Sequence, residues 1–325
     1  MRITVLAGGI GGARFLRGVR AACPGDELTA VVNTGDDVTL HGLRICPDLD
    51  SVMYTLGDGI DTERGWGREK ESWRIKEELE RYGAQPTWFG LGDLDIATHL
   101  VRTRMLDAGY PLSDVTAALC ERWQPGVRLL PMTDERCETH VVVELDEEGD
   151  TASGRRRAIH FQEWWIKYRA SVPAQAFVQV GVDDAVPAPG VLEAIGSADV
   201  VLLAPSNPVV SIGTILGVPG IREAIAGGPA PVIGFSPIVG GAPVRGMADS
   251  CLPVIGVPVS AEGVGRHYGG RKGSAHQDGG VLDGWLIHET DTADVPGVTV
   301  RAVPLMMTDD EATAAMVRTA LELAQ

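Results

Sequence analysis

The sequence predicts an α/β fold: a doubly wound, mostly parallel sheet with helices on both faces and an inserted cap. Three observations predict it. The chain opens on a short apolar run, Ile3, Val5 and Leu6, broken by Gly8-Gly9-Ile10-Gly11-Gly12 and followed by Ala13–Ala22, with Phe15, Leu16 and Val19 at helical spacing. The same rhythm returns late in the chain. There a short helix over Pro189–Ala198 leads into Asp199–Ala204 (DVVLLA), a wholly apolar strand, then into a polar loop and a further strand, Val232–Phe235. Between about Val127 and Val182 the character changes to β-branched runs, the mark of an antiparallel hairpin set into the α/β frame. Alternation at both ends makes one domain over 1–325, Rossmann-like, with an inserted cap region at about 60–182 rather than two beads on a linker.

The remaining elements follow from local pattern. Leu28–Val32 is a second buried strand that empties into Asn33-Thr34-Gly35-Asp36-Asp37. After Pro47, Asp48 is placed to cap a helix carrying Val52, Met53 and Leu56. Trp73–Tyr82 and Leu94–Ala108 are amphipathic helices closed by Gly83 and Gly109, and Leu112–Trp123 is a third. Thr139–Leu145 and Ala158–Tyr168 are expected to pair across a Glu147–Asp150 turn. Pro205–Val210 is a polar loop, with Ser211 capping the next helix, and Thr308 caps a closing helix over Asp309–Leu323. The one low-complexity stretch is Gly269–Gly280.

Composition narrows the chemistry. In 325 residues, 28 Lys and Arg face 44 Asp and Glu, a formal charge of −16, which disfavours nucleic acid as a partner. No apolar run reaches the roughly 20 residues of a membrane helix, and Met1–Leu6 leads into a strand, so the expected location is cytoplasmic. Five scattered cysteines without a CxxC pair agree with reduced thiols. An acidic protein that takes a phosphorylated ligand must do so through helix-start N–H groups, local Arg or Lys, or a cation held by carboxylates.

Three loops are placed for that work. The first, Ala7–Gly12, offers backbone amides at a helix start, and Gly9, Gly11 and Gly12 are the candidates for close approach to a ligand. Its spacing is not a dinucleotide fingerprint, since Arg14 stands where the third glycine belongs, and the second strand ends at Asn33 rather than at an acid. A nicotinamide oxidoreductase is therefore disfavoured. In the second loop Asn33, Asp36, Asp37, His41, Asp48 and Asp50 crowd together without an interleaved lysine, a set of hard oxygen ligands suited to Mg²⁺. Asp48 alone is explained equally by a helix start. In the third, Ser206, Asn207 and Ser211 follow a buried strand and are stiffened by Pro205 and Pro208. Gly90–Asp95 opens the helix that carries His99 and Arg102 one turn apart, with His99 read as structural. These residues alone describe an α/β enzyme for an anionic, nucleotide-like substrate, with its reaction open.

A succession of longer segments goes further: AGGIGGARFLRG (7–18), VNTGDDVTLHGLRICPDLDSVMYTL (32–56), GLGDLDIATHLVRTRML (90–106), PMTDE (131–135), HFQEWW (160–165), VLEAIGSADVVLLAPSNPVVSIGTIL (191–216) and FSPIVGGAPVRG (235–246). In order and length it resembles the 2-phospho-L-lactate or phosphoenolpyruvate transferase family (CofD/FbiA) of coenzyme F-420 biosynthesis. The resemblance implies transfer of a phosphoenolpyruvyl or 2-phospho-L-lactyl group from a guanosine-diphosphate-activated donor to the deazaflavin FO, with GMP released, Mg²⁺ as cofactor and a homodimer. It implies FO contacts at Asp50, Gly90, Asp93 and Asn33, with Asp50 catalytic. It implies nucleotide contacts at Gly9, Gly11, Gly12, Ser206, Asn207 and Ser211, and metal ligands among Asp36, Asp37 and Asp50. The rival from another class is a regulatory nucleotide-sugar-binding protein of related fold without transferase activity. The HFQEWW and PDLD segments match the transferase better.

Overall fold

In a computed structural model, residues 1–145, 155–272 and 279–325 are described. Seven parallel strands form the central sheet, in the spatial order Thr299–Val303, Gly284–His288, Val232–Phe235, Val200–Leu203, Arg2–Ala7, Glu27–Val32, Arg128–Pro131. The inner strands are buried along nearly their whole length, and mostly apolar, because both faces are covered, as parallel sheets require. Ile3 pairs with Leu28 on one side and Val200 on the other. From Arg2–Ala7 the chain first winds outward through Glu27–Val32, and later returns to fill the opposite flank. The winding therefore reverses between Arg2–Ala7 and Val200–Leu203, and the loops leaving those two strands flank the crevice where α/β sheets hold ligands.

Alternate strand residues feed two cores. Ile3, Val5 and Ala7 pack under the helices Gly9–Ala22, Pro47–Leu56 and Asp310–Leu323. Leu6, Val31 and Leu203 face the other side, beneath the helices Val191–Ser197, Ile212–Gly217 and Ala261–Tyr268 and a three-stranded antiparallel sheet. That smaller sheet has Glu138–Leu145 at its centre, between Arg155–His160 and Ala176–Val180.

Several local expectations are corrected. Within the stretch expected to be inserted, Arg128–Pro131 joins the central sheet, pairing with Thr29–Val32. The strand expected over Ala158–Tyr168 ends at His160, and Glu163–Lys167 is a π-helical turn that buries Trp164. Its expected turn at Glu147–Asp150 lies outside the described residues, as does most of the stretch inside Gly269–Gly280. Asp309, not Thr308, caps the last helix, accepting from the Ala312 N–H at 2.8 Å. Cys46 occupies the cap position before Pro47–Leu56, which moves Asp48 into the first turn and frees its carboxylate for the loops beside it.

Candidate active site

The first and third loops are locked together at the carboxyl edge of the sheet. Ser206 Oγ accepts from the Gly8 N–H at 3.1 Å and donates to the Gly8 carbonyl at 2.7 Å, both buried. No side chain fits between the loops: a Cβ at Gly8 would stand 2.7 Å from Ser211 Cβ and 2.8 Å from Asp48 Oδ2, and one at Gly12 would stand 2.8 Å from Ser206 Oγ. Gly9, Gly11, Gly12, Ser206 and Ser211 thus gather around one start of a helix, where an anion is favoured. Ser211 sits at the N-cap position of Ile212–Gly217 but makes no side-chain cap; its hydroxyl faces the glycine loop instead. Asn207 is turned into its own loop, Oδ1 accepting from the Val209 and Val210 N–H groups and Nδ2 reaching Cys251 Sγ at 3.6 Å.

The second loop supplies the buried acids, though not in the grouping read from sequence. Asn33 Nδ2 donates to Asp48 Oδ2 at 2.9 Å and to Asp36 Oδ1 at 3.3 Å, while Gln162 Nε2 approaches Asp36 Oδ2 at 3.4 Å. Burial, reinforced by the neighbouring Asp48 charge, drives the Asp36 carboxyl well above the carboxylate range. Burial likewise raises Asp48 to about 6 against hydrogen bonds from Asn33 and the Gly9 backbone. Asp48 is therefore a site residue, not a helix cap. Two like-charged carboxylates sharing one amide fit a hard divalent cation, which takes one or two carboxylates and completes its shell with substrate oxygens.

Asp37 and Asp50, the other expected metal ligands, are each paired with an arginine, although Asp37 Oδ1 is buried with no hydrogen-bond partner among the described residues. Asp37 Oδ2 pairs with Arg44 at 3.1 Å, and His160 Nε2 lies 3.1 Å from the Asp37 carbonyl. Burial lifts Asp37 to about 6, with Arg44 opposing. Asp50 is held by both Nη atoms of buried Arg102, one at 3.1 Å. Arg102 Nη1 also lies 3.0 Å from His99 Nδ1, and His99 Nε2 stands 3.4 Å from Asp95, which accepts from Tyr54 Oη at 2.7 Å. Burial works against ionising Asp95, but the His99 hydrogen bond and charge hold its pKa below the ordinary range. Asp50, Asp95 and His99 bring ligand atoms within 4.8 Å of one another, yet Arg102 already places a positive charge there. The acids thus divide in two, with Asp36 and Asp48 suited to a cation and Asp50 to holding one orientation.

Gly90 and Asp93, the FO contacts that the resemblance implied, each have partners within the protein. Gly90 packs on an indole pair, its virtual Cβ 3.4 Å from Trp73 and 3.6 Å from Trp66, whose ring is partly exposed. Asp93 is spent on the start of a neighbouring helix. It accepts from Ser72 Oγ at 2.7 Å and from the Ile75 and Arg74 N–H groups, and the Ile75 bond holds it below the ordinary carboxylate range. A cap is a sufficient account of Asp93.

Beside the glycine loop a cleft of about 560 Å³ opens between Ile10, Arg14, Thr55 and Ile60 on one side and Met307–Glu311 on the other. Its volume lies in the usual range for small-molecule sites. Sequence reasoning left Asp48 divided between the acidic set and a helix cap, and did not single out Arg44 or Gln162. The signal for Arg102 was its one-turn spacing from His99; for Gln162 it was only the HFQEWW resemblance.

A doubly wound parallel sheet, with glycine, serine and buried acid loops converging at its switch point, defines an α/β enzyme of anionic small-molecule substrates. The chain belongs to the 2-phospho-L-lactate transferase CofD family, whose model matches residues 3–313. It is 65% identical to a protein named phosphoenolpyruvate transferase from Nocardia farcinica, over 99% of this chain and 95% of that one. It is 63% identical to another of that name from Mycolicibacterium smegmatis, over 100% and 99%. A crystal structure of protein BH3568 from Bacillus halodurans superposes with a TM-score of 0.62 over 99% of both chains at 17% identity, which shows the shared fold.

Proposed function

We propose that this transferase moves a phosphoenolpyruvyl group, or its 2-phospho-L-lactyl counterpart, from a guanosine-diphosphate-activated donor to the deazaflavin FO in coenzyme F-420 biosynthesis. In this reading a hydroxyl oxygen of FO bonds to the phosphorus that carries the three-carbon acid. The bond from that phosphorus to the GMP oxygen breaks, and GMP leaves. The names of relatives 58–65% identical favour the enolpyruvyl form. The observation that carries the reading is the position of the acids: Asp36 and Asp48 lie beside the glycine and Ser206 loops, with Asp50 two residues further along the helix that carries Asp48, so acceptor and donor would meet over one buried edge.

Each residue then has a task. The Gly8–Gly12 amides and the Ser206–Ser211 loop hold the donor's phosphates at the helix start. Arg102 fixes both oxygens of Asp50, whose remaining lone pairs accept the FO hydroxyl and, late in transfer, its proton. Mg²⁺, held by Asp36 and Asp48, would supply neutralisation of the charge that gathers on the phosphoryl oxygens. Catalysis of this kind is positioning plus charge balance, which is why the site contains rigid loops and ion pairs rather than a free nucleophile. The test is turnover: purified chain, FO, the activated donor and Mg²⁺ should yield GMP and the phosphoenolpyruvyl-FO adduct in equal amounts by mass spectrometry. GMP without adduct, or adduct without GMP, would overturn the reading.

A further inference from the structure

The cleft beside the glycine loop contains four carboxylates, and each already has a partner. Asp310 is paired with Arg17 at 2.8 Å, Asp61 with Arg64 at 2.9 Å, Glu311 with Arg318, and Asp309 caps its helix through the Ala312 N–H. Arg17 is consumed in the same way. Arg14, on the outward face of Gly9–Ala22 and lining this cleft, has no hydrogen bond or ion pair among the described residues.

A second cation reaches the same place from a distant segment. Arg245 follows the short strand Ala242–Pro243 and lays its guanidinium over Gly65, a cleft residue, so closely that a Cβ there would stand 2.7 Å from Nη2 and 3.1 Å from Nη1. Gly65 has φ +75°, where a larger residue would be strained and would also push Arg245 away. Arg245, too, has no acidic partner among the described residues. Burial lowers the Arg245 pKa, and the charge of Arg14 adds to it. Two guanidiniums that reach one cleft, with no acidic partner among the described residues, offer paired positive charge to an incoming anion.

We propose that Arg14 and Arg245 form an anion subsite that holds an oxyanion of the donor, phosphate or carboxylate, at the rim of this cleft. The inference rests on the transferase reading and adds to it where the donor's charge is held. Planar guanidinium forks suit either group through paired N–H donors. The cleft runs from Ile10, in the first turn beside the glycine loop, to Thr55. Thr55 is seven residues along the helix from Asp48, a separation of about 10 Å that a substituent of a bound nucleotide spans.

The test titrates the full chain calorimetrically with GDP and with phosphoenolpyruvate, and follows FO by fluorescence, in wild type, Arg14→Gln and Arg245→Gln. Both side chains are exposed, so folding is preserved. Each variant should weaken one of the two anions about tenfold or more, the scale of a lost charge-assisted hydrogen bond, with FO affinity unchanged. Loss of GDP affinity assigns the subsite to phosphate, and loss of phosphoenolpyruvate affinity alone assigns it to carboxylate. If wild type binds FO and the anions and neither variant changes the anions by more than twofold, the subsite is wrong and the transferase reading stands. A wild type that binds neither FO nor GDP overturns that reading and the subsite with it.

Discussion

Arg102 is the residue on which the acid loop's order depends most. It is fully buried, and Asp50 raises its pKa against the cost of that burial. Removing it would leave Asp50 without its arginine partner and His99 Nδ1 without its 3.0 Å neighbour. Loss of one partner of a buried pair costs about 3–5 kcal/mol, so Arg102→Ala should lower the unfolding midpoint sharply in thermal denaturation, and Arg102→Lys should recover only part of it. An unchanged midpoint would mean that Asp50 is not held as the geometry indicates. Little of this pairing was legible beforehand. The sequence shows His99 and Arg102 one turn apart on a shared face, and shows Asp48 and Asp50 at a helix start, but it does not show that the two helices turn those faces toward each other. Asp48 stayed ambiguous for a physical reason: at the start of a helix, capping explains an aspartate without any site, and only the Cys46 cap position removes that explanation.

At the scale of elements, helices and strands with long apolar periods were readable. Gly9–Ala22, Glu27–Val32, Leu112–Trp123 and Val200–Leu203 lie where their patterns put them, because each buries one continuous face or both. Arg128–Pro131 was not readable, being four residues long and ending on proline, and the π-turn at Glu163–Lys167 continues the apolar pattern of the strand before it. One contact between elements makes a sharp prediction. Helix Gly9–Ala22 meets Asp310–Leu323 at Gly18, where a Cβ would overlap Thr313 Cγ2 and Cβ. Gly18→Ala should therefore destabilise by about 1–3 kcal/mol in urea unfolding, as overpacking does. Thr313→Ala in the same chain should return part of that loss, because neighbouring changes couple. Simple additivity of the two would show that the helices do not meet there.

For the whole molecule, the buried acids set how stability responds to pH. Asp37 and Asp48 are raised to about 6 and Asp36 is raised as well, so between their ordinary pKa near 3.8 and the folded values the folded chain binds more protons than the unfolded one. Their contribution to stability is therefore complete below about pH 4 and is lost as pH rises through about 6. A divalent cation bound by the ionised Asp36–Asp48 pair reverses this loss, since it binds the folded charged form. The rise in melting temperature on adding Mg²⁺ should thus be larger at pH 8 than at pH 5, and an Asp48→Asn chain should lose most of that difference. An equal rise at both pH values would place the cation elsewhere. No described helix is long and apolar enough to cross a membrane.

The most direct measurement of the central claim is binding of FO, read by its own fluorescence, with and without GDP and Mg²⁺, to wild type and Asp50→Ala. Saturable binding by wild type that weakens clearly in Asp50→Ala, together with a fall in turnover of 10²–10⁴-fold as for loss of a proton acceptor, is the predicted result. No FO binding under any condition, or equal binding and turnover within about tenfold in a folded Asp50→Ala chain, would contradict it.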